Sequence, residues 1–239
     1  MQLFYTTKIE DSIATLATEE LRHLNVLRKK VGDRIQVVDG KGSIFEAEIM
    51  ALSKKDASIV VQKVIRQDPL DFQLHLAIAP TKNIARFEWF LEKATEIGIQ
   101  TITPIFCKHS ERKKIRLDRL EKIVISAMKQ SNRTYLPQLN AAQSFPDFLA
   151  QLDRTDSPNF KYIAHCEVGK KVNMWDSYQA KQDILILIGP EGDFHPTEIE
   201  AAHHAGFQFL SLGDARLRTE TAGIVACHTV QLIAQMAKG

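Results

Sequence analysis

An α/β fold built on a parallel sheet, preceded by a smaller all-β domain, is what the sequence predicts. Three observations carry this. Ile184–Ile188 and residues 207–212 are short apolar runs that stop at glycine-bearing loops, and apolar runs of about 4–8 residues bounded in this way read as buried strands. A helical pattern at 196–205 lies between them, and strands alternating with helices imply a parallel sheet. Residues 34–39, Ser43–Leu52 and 57–64 instead give successive strand signals joined by tight turns, the pattern of a small β-barrel. Residues 66–71 are polar, include Pro69 and separate the two patterns. They serve as a linker, with expected domains at 1–68 and 72–239.

Along the first domain, Leu3–Tyr5 opens as a strand and 18–28 reads as a helix, with Thr18 as N-cap and Glu19 and Glu20 in the first turn. Along the second, 72–79 is a strand signal ending at Pro80. Ile84–Ile97 is an amphipathic helix with Phe87, Phe90, Leu91, Ala94 and Ile97 on one face and Gly98 just past its end. Glu88, Glu92 and Glu96 lie on the opposite face and read as solvated. Thr101–Phe106 is a strand, and 117–131 and Phe145–Leu152 are helices. Residues 151–159 are a polar loop, and 160–166 are a strand. A last helical pattern runs from about 222 to 236, with apolar residues spread around its circumference.

The 239 residues carry a net charge of +2, so bulk charge alone does not announce a nucleic-acid binder. The densest basic run is 108–119, with Lys108, Arg112, Lys113, Lys114, Arg116 and Arg119, and basic residues on a loop can contact phosphates. The start of the sequence has no basic and apolar leader pattern, no run approaches a membrane span, and the three cysteines show neither CxxC spacing nor a disulfide framework. A reducing cytoplasm is the expected setting. Each cysteine reads as a buried small hydrophobe. No G-x-G-x-x-G follows a strand, no P-loop is present, and no His/Cys cluster has metal-ligand spacing. His195, His203 and His204 read as surface helix residues.

Ligands in parallel sheets sit beyond the carboxyl ends of the strands. Gly189-Pro190-Glu191-Gly192 and Gly213 fall there, where glycines allow close backbone approach. Leu187-Ile188-Gly189-Pro190-Glu191-Gly192, followed by Leu212-Gly213 and Leu217-Arg218-Thr219-Glu220-Thr221-Ala222, resembles the small-subunit ribosomal RNA uridine-N3 methyltransferases. This is the ribosomal RNA small subunit methyltransferase E family of the SPOUT superfamily. The likeness extends to the N-terminal segment around His23 and Arg28, which is similar to the family's PUA-like RNA-binding domain, and to Gln130-Ser131-Asn132-Arg133 at a helix end.

The resemblance implies a knotted parallel-sheet domain with a C-terminal trefoil knot and an N-terminal PUA-like β-barrel. It implies S-adenosylmethionine as cofactor, held by Leu187, Ile188, Gly189, Pro190, Glu191, Gly192, Leu212, Gly213, Leu217, Arg218, Thr219 and Ala222. It implies methylation of a uridine in 16S rRNA of the small ribosomal subunit, RNA contacts from His23, Arg28, Arg112, Lys113, Lys114, Gln130 and Arg133, and a homodimer; neither a metal nor a membrane is involved. Arg218 is the candidate for stabilising charge that develops on the pyrimidine. Glu191, Glu220 or water is left to take the N3 proton. On residue chemistry alone His23, Arg28, Gln130 and Arg133 are ordinary polar helix residues, and the alternative for Arg218 is a structural cap of the last helix.

The chain departs from the family pattern at Asp193, where a second glycine is usual, and at Ala215, where an arginine is usual and Arg216 stands beside it. Two other readings compete: a related knotted enzyme acting on ribose 2′-hydroxyls, and a non-catalytic RNA-binding protein. The first usually carries a Ser-Leu-Asn-Val-Ser-like motif where this chain has Arg218-Thr219-Glu220-Thr221-Ala222. Retention of both cofactor-loop motifs opposes the second.

Overall fold

The computed structural model describes residues 3–10, 12–152 and 158–237; the 153–157 part of the expected polar loop lies outside the described residues. Two compact units emerge. One holds the chain up to Pro69 together with Ile125–Leu136, and the other holds Leu70–Val124 and the chain from Pro137 onward.

In the first unit the elements are β1 (Leu3–Tyr5), β2 (Ile9–Glu10), β3 (Ile13–Leu16), α1 (Thr18–Val26), β4 (Arg34–Val38), β5 (Ser43–Leu52) and β6 (Ala57–Arg66). They form a six-stranded sheet in the order β1-β4-β5-β6-β3-β2. Only the β1–β4 pair is parallel. Alternation along β5 turns Phe45, Ala47 and Ile49 onto a core shared with Phe4, Leu16, Leu21 and Leu24. The short β2 and β3 carry too few residues to show a period, which is why the sequence reading missed them.

Helix α1 is shorter than expected. Its N-cap is Ala17, with no side-chain cap bond. Past its end Arg28 takes φ 54°, its N–H bonds to Asn25 O and that of Lys29 bonds to Leu24 O. This is the Schellman arrangement, which needs a left-handed residue at this point. Residues 125–136 add to the same unit. Lys129 pairs with the buried carboxylate of Glu20, and Gly42 N–H and Leu136 N–H bond to Thr134 O and Gly40 O.

The second unit comprises β7 (Leu74–Ile78), α2 (Ile84–Ile97), β8 (Thr101–Phe106), α3 (Leu117–Gln130), β9 (Gln138–Leu139), β10 (Gln143–Ser144), α4 (Phe145–Leu152), β11 (Phe160–Ala164), β12 (Val172–Asn173), α5 (Met174–Ser177), β13 (Ile184–Ile188), α6 (Pro196–His204), β14 (Gln208–Ser211) and α7 (Thr219–Met236). The last residues of α3, from Ile125, count with the first unit. Every strand pair in the sheet is parallel, in the order β10-β8-β7-β13-β11-β14-β12 with β9 beside β8. The Ile-Leu-Ile-Leu-Ile of β13 is buried throughout, as a central parallel strand covered on both faces requires.

Asn83 caps α2 by accepting from Ala85 N–H, and Gly98 ends the helix at φ 110°. α7 lies directly on this helix through Gly223, where a Cβ would stand 2.6 Å from the Phe90 ring and 2.9 Å from Ile78. Only glycine permits that approach. α7 starts at Thr219 rather than near 222. Its polar first turn gives no apolar period, so the sequence pattern shows only the later turns.

Three side-chain expectations change. Glu88 is not simply solvated, because Arg119 Nε lies 2.6 Å from its Oε1. His195 is the N-cap of α6, with Glu198 completing a capping box. Cys107 and Cys227 are buried, but Cys166 is exposed, since it follows the end of β11.

On β7, His75 contacts Thr103 Oγ1 at 2.7 Å and meets Phe148 edge-on. Burial lowers its pKa from 6.5 to about 4. The unfolded chain therefore takes up this proton first, and stability present above pH 6.5 falls as pH drops toward 4, by about 3 kcal/mol at ~1.4 kcal/mol per pKa unit. Urea unfolding from pH 7 to 4 should show a shallower pH slope for His75→Gln than for the wild type. Equal slopes would mean that His75 titrates normally.

Candidate active site

The site lies at the carboxyl ends of β11, β13 and β14. In the sheet order the chain leaves β13, passes over β11 and re-enters at β14, and a crevice opens where strand order reverses in this way. The loops after these strands enclose a cavity of about 610 Å³, within the usual size of small-molecule sites. Its wall combines the glycine-bearing segments at Gly189, Pro190 and Gly213 with the apolar residues Ile188, Leu212 and Leu217.

Hydrogen bonds fix the wall. Thr219 Oγ1, on the first turn of α7, donates to Gly189 O at 3.0 Å in a buried setting. Asp193 holds φ 64°, the left-handed conformation that the usual glycine adopts freely and that Asp tolerates better than most residues. Its carboxylate accepts from Cys166 N–H at 2.7 Å and from Phe194 N–H at 2.8 Å. The family departure at this position thus ties the β13 loop to the β11 loop. Glu191 Oε1 accepts from Lys82 N–H at 2.9 Å, and the Arg112 guanidinium donates to Thr81 O and Lys82 O at 2.9 and 2.6 Å.

Of the residues expected around a cofactor, Ile188, Gly189, Pro190, Glu191, Leu212, Gly213, Leu217, Arg218, Thr219 and Ala222 line the cavity. Two do not. Leu187 is fully buried in the core beneath the sheet end, because successive strand residues face opposite ways. Gly192 packs against His109, whose Cβ would lie 3.1 Å from a Cβ added at this glycine. Glu220 faces a neighbouring groove, which it lines with Arg86 and Trp89. Arg218 lines both spaces. It occupies the N-cap position of α7, yet its side chain makes no cap bond, so a capping role does not explain it. The departure at the second loop, Ala215, and the adjacent Arg216 also line the cavity.

The sequence reading missed His165, Cys166 and Lys171, and also Ala164, Leu210, Ser211 and Asp214, all of which line the cavity. Residues 160–166 were read as a strand, and the strand-end rule applied to them would have pointed to His165 and Cys166. Both ring nitrogens of His165 are enclosed and have no hydrogen-bond partner. Burial, and secondarily Lys171, lower its pKa, so the ring favours the neutral form with one donor and one acceptor.

The expected RNA contacts divide between the units. His23, Arg28, Gln130 and Arg133 belong to the first, and Arg112, Lys113 and Lys114 to the second. His23 packs on Phe4 with ring centroids 4.9 Å apart. Arg112 is half-buried and committed to its two carbonyls, whereas Lys113 and Lys114 are exposed. Among the described residues no group of His, Cys, Asp and Glu is arranged to hold a metal, and no helix is long and apolar enough to cross a membrane.

Comparison with known proteins agrees with the fold of both units. Residues 67–231 match the model of an RNA methyltransferase domain, and residues 16–62 match that of an RNA methyltransferase PUA domain. The ribosomal RNA small subunit methyltransferase E of Buchnera aphidicola is 31% identical, over 90% of this chain and 86% of its own length. The crystal structure of a probable rRNA-methyltransferase from Porphyromonas gingivalis superposes with a TM-score of 0.89 at 42% identity, covering 99% of this chain and 100% of that one. A ribosomal RNA small subunit methyltransferase E from Neisseria gonorrhoeae, bound to S-adenosyl methionine, gives 0.82 at 31% identity, covering 98% of both chains. The chain belongs to the ribosomal RNA small subunit methyltransferase E family of RNA methyltransferases, with the α/β parallel-sheet fold and N-terminal PUA domain of that family.

Proposed function

We propose that the chain transfers a methyl group from S-adenosylmethionine to N3 of one uridine in 16S rRNA of the small ribosomal subunit. The observation that carries this reading is the cavity at the ends of β11, β13 and β14, with Arg218 in its wall. The cavity suits the cofactor in size, in its mix of backbone polar groups and apolar side chains, and in the unpartnered nitrogens of His165. Bound there, S-adenosylmethionine supplies an electrophilic methyl and departs as a neutral thioether, the carbon–sulfur electron pair going to sulfur. The protein supplies position and charge, which dominate catalysis of such displacements.

Ile188, Gly189, Pro190, Glu191, Leu212, Gly213, Leu217, Thr219 and Ala222 form the cofactor wall. Arg218 and Glu220 are the catalytic pair. Arg218 presents a planar fork to a pyrimidine carbonyl as negative charge grows there. Glu220 is better suited than Glu191 to take the N3 proton, because Glu191 is already engaged with Lys82 N–H while Glu220 Oε2 has no partner. The 1–68 and 72–239 division of labour, RNA contact by His23, Arg28, Gln130 and Arg133, and a C-terminal trefoil knot belong to the same reading. So do a cytoplasmic setting and a homodimer. Leu232 and Met236, at 45% and 73% exposure on α7, support the dimer, since an exposed apolar helix face favours a partner.

The direct test is incubation with labelled S-adenosylmethionine and unmodified small ribosomal subunits, followed by mapping of the product. A 3-methyluridine at one position is expected; methylation of ribose, or of no nucleotide, contradicts the reading. Arg218→Ala should lower single-turnover rate about a hundredfold or more, the scale of losing one preorganised donor. Melting temperature and cofactor affinity should hold, and Arg218→Lys should not rescue the rate. Turnover near the wild-type value removes Arg218 from the reaction.

For RNA binding, Lys113→Ala with Lys114→Ala should weaken subunit binding and reduce the logarithmic salt slope by about one per lost phosphate contact. Arg112 is left intact because it holds the segment around Lys82. An unchanged slope makes 113–114 a solvated loop.

A further inference from the structure

Helix α2 and the first turn of α7 leave a groove walled by Ala85, Arg86 and Trp89 on one side and by Arg218, Glu220 and Thr221 on the other. Because Arg218 also lines the cofactor cavity, the two spaces meet at that side chain. Two features of the groove are unexplained by helix packing. Trp89 remains 45% exposed although its neighbours Phe87 and Phe90 are fully buried. Glu220 is only 6% exposed, yet its Oε2 has no hydrogen-bond partner, and its Oε1 lies 3.8 Å from Arg86 Nε. An enclosed carboxylate oxygen without a donor is costly to the free protein, and a ligand that brings a donor relieves the cost.

We propose that this groove is the pocket for the target base, with Trp89 as its stacking platform and the Arg86–Glu220–Arg218 set as its reader of uracil against cytosine. This rests on the uridine-N3 reading and adds the place and the selection rule. The Watson–Crick edge of uracil offers a donor at N3 between two carbonyl acceptors. Two guanidinium groups and one carboxylate offer the matching donors and acceptor. Cytosine offers an acceptor at N3, which would face the Glu220 carboxylate with no proton between them, and a site built to receive a donor rejects a base that lacks it. A base withdrawn from its strand loses stacking, and an exposed indole face restores it.

The proton balance follows from the same contact. The N3–H bond breaks, the proton passes to the Glu220 carboxylate, and the N3 electron pair forms the new bond to the methyl carbon as the carbon–sulfur pair goes to sulfur.

The experiment uses the full chain with S-adenosylmethionine and unmodified small ribosomal subunits. Trp89→Ala should lower the single-turnover rate roughly tenfold or more, in line with the loss of one base–aromatic stack, and Trp89→Phe should retain most of it. Cofactor affinity and sedimentation mass should match the wild type in both. In a Trp175→Phe background, Trp89 fluorescence should be quenched by oligouridylate more than by oligocytidylate, and Glu220→Gln should narrow that difference. A normal rate for Trp89→Ala, equal quenching by both oligonucleotides, or a rate loss that tracks a fall in sedimentation mass overturns the proposal; the last result makes the groove a contact between copies. If the wild type yields 3-methyluridine while any of these occurs, only the pocket assignment fails. A wild type that yields no methyluridine fails the underlying reading instead.

Discussion

A single buried hydrogen bond, from the Thr219 hydroxyl to the carbonyl of Gly189, joins the two loops on which the site depends. The first turn of α7 carries Thr219, Glu220 and, at its N-cap, Arg218. The loop after β13 carries Gly189, Pro190 and Glu191. The link holds the loop after β13 against the helix turn that bears Arg218 and Glu220. Thr219 is 5% exposed, so the bond is not diluted by water, and an unmet carbonyl there would carry a full desolvation penalty. Gly223, one turn further along α7, then presses the helix onto Phe90 and Ile78, which holds the turn that bears Thr219 against the sheet.

Around this link the polar groups divide into those that build the site and those left for ligands. Arg112, Glu191, Asp193 and Lys171 are spent on backbone groups. They fix the 80–82 segment and the loops after β11 and β13. Glu220 Oε2 and the two nitrogens of His165 are enclosed and unmet. Buried polar atoms are normally satisfied, and exceptions concentrate where a ligand completes them. Glu20 Oε2, Glu88 Oε1 and Gln143 Oε1 are also enclosed without a hydrogen-bond partner, but among the described residues only Glu220 and His165 combine this with a place in the wall of the cavity or the groove.

Much of this architecture was legible in the sequence, for identifiable reasons. Ile184–Ile188, Ile84–Ile97, Thr101–Phe106 and Phe145–Leu152 emerged with their observed limits, because each has a strong apolar pattern closed by Gly, Pro or a polar turn. The cavity was legible through the strand-end rule and the glycine loops. Arg112 was not, because a basic run read in one dimension does not distinguish a guanidinium clamped on two carbonyls from one facing solvent. The place of 125–136 in the first unit was hidden because the helical period of α3 continues unbroken across the division. Arg28 at a left-handed helix end and Glu88 under Arg119 depend on tertiary partners. The exposure of Trp89 was hidden for a further reason. Its position on α2 falls between two core phenylalanines, where a third aromatic reads as more core.

The central claim is that the joined loops form the cofactor cavity, and calorimetric titration of S-adenosylmethionine into wild type and Thr219→Val tests it most directly. Valine keeps the shape and removes the donor, leaving Gly189 O unmet. The account predicts one site per chain in the wild type and a tenfold order of weakening in the folded variant, from a penalty of about 1–3 kcal/mol for an unsatisfied buried acceptor. Wild type that binds no S-adenosylmethionine, or a Thr219→Val protein that binds it as tightly as wild type, would contradict the account.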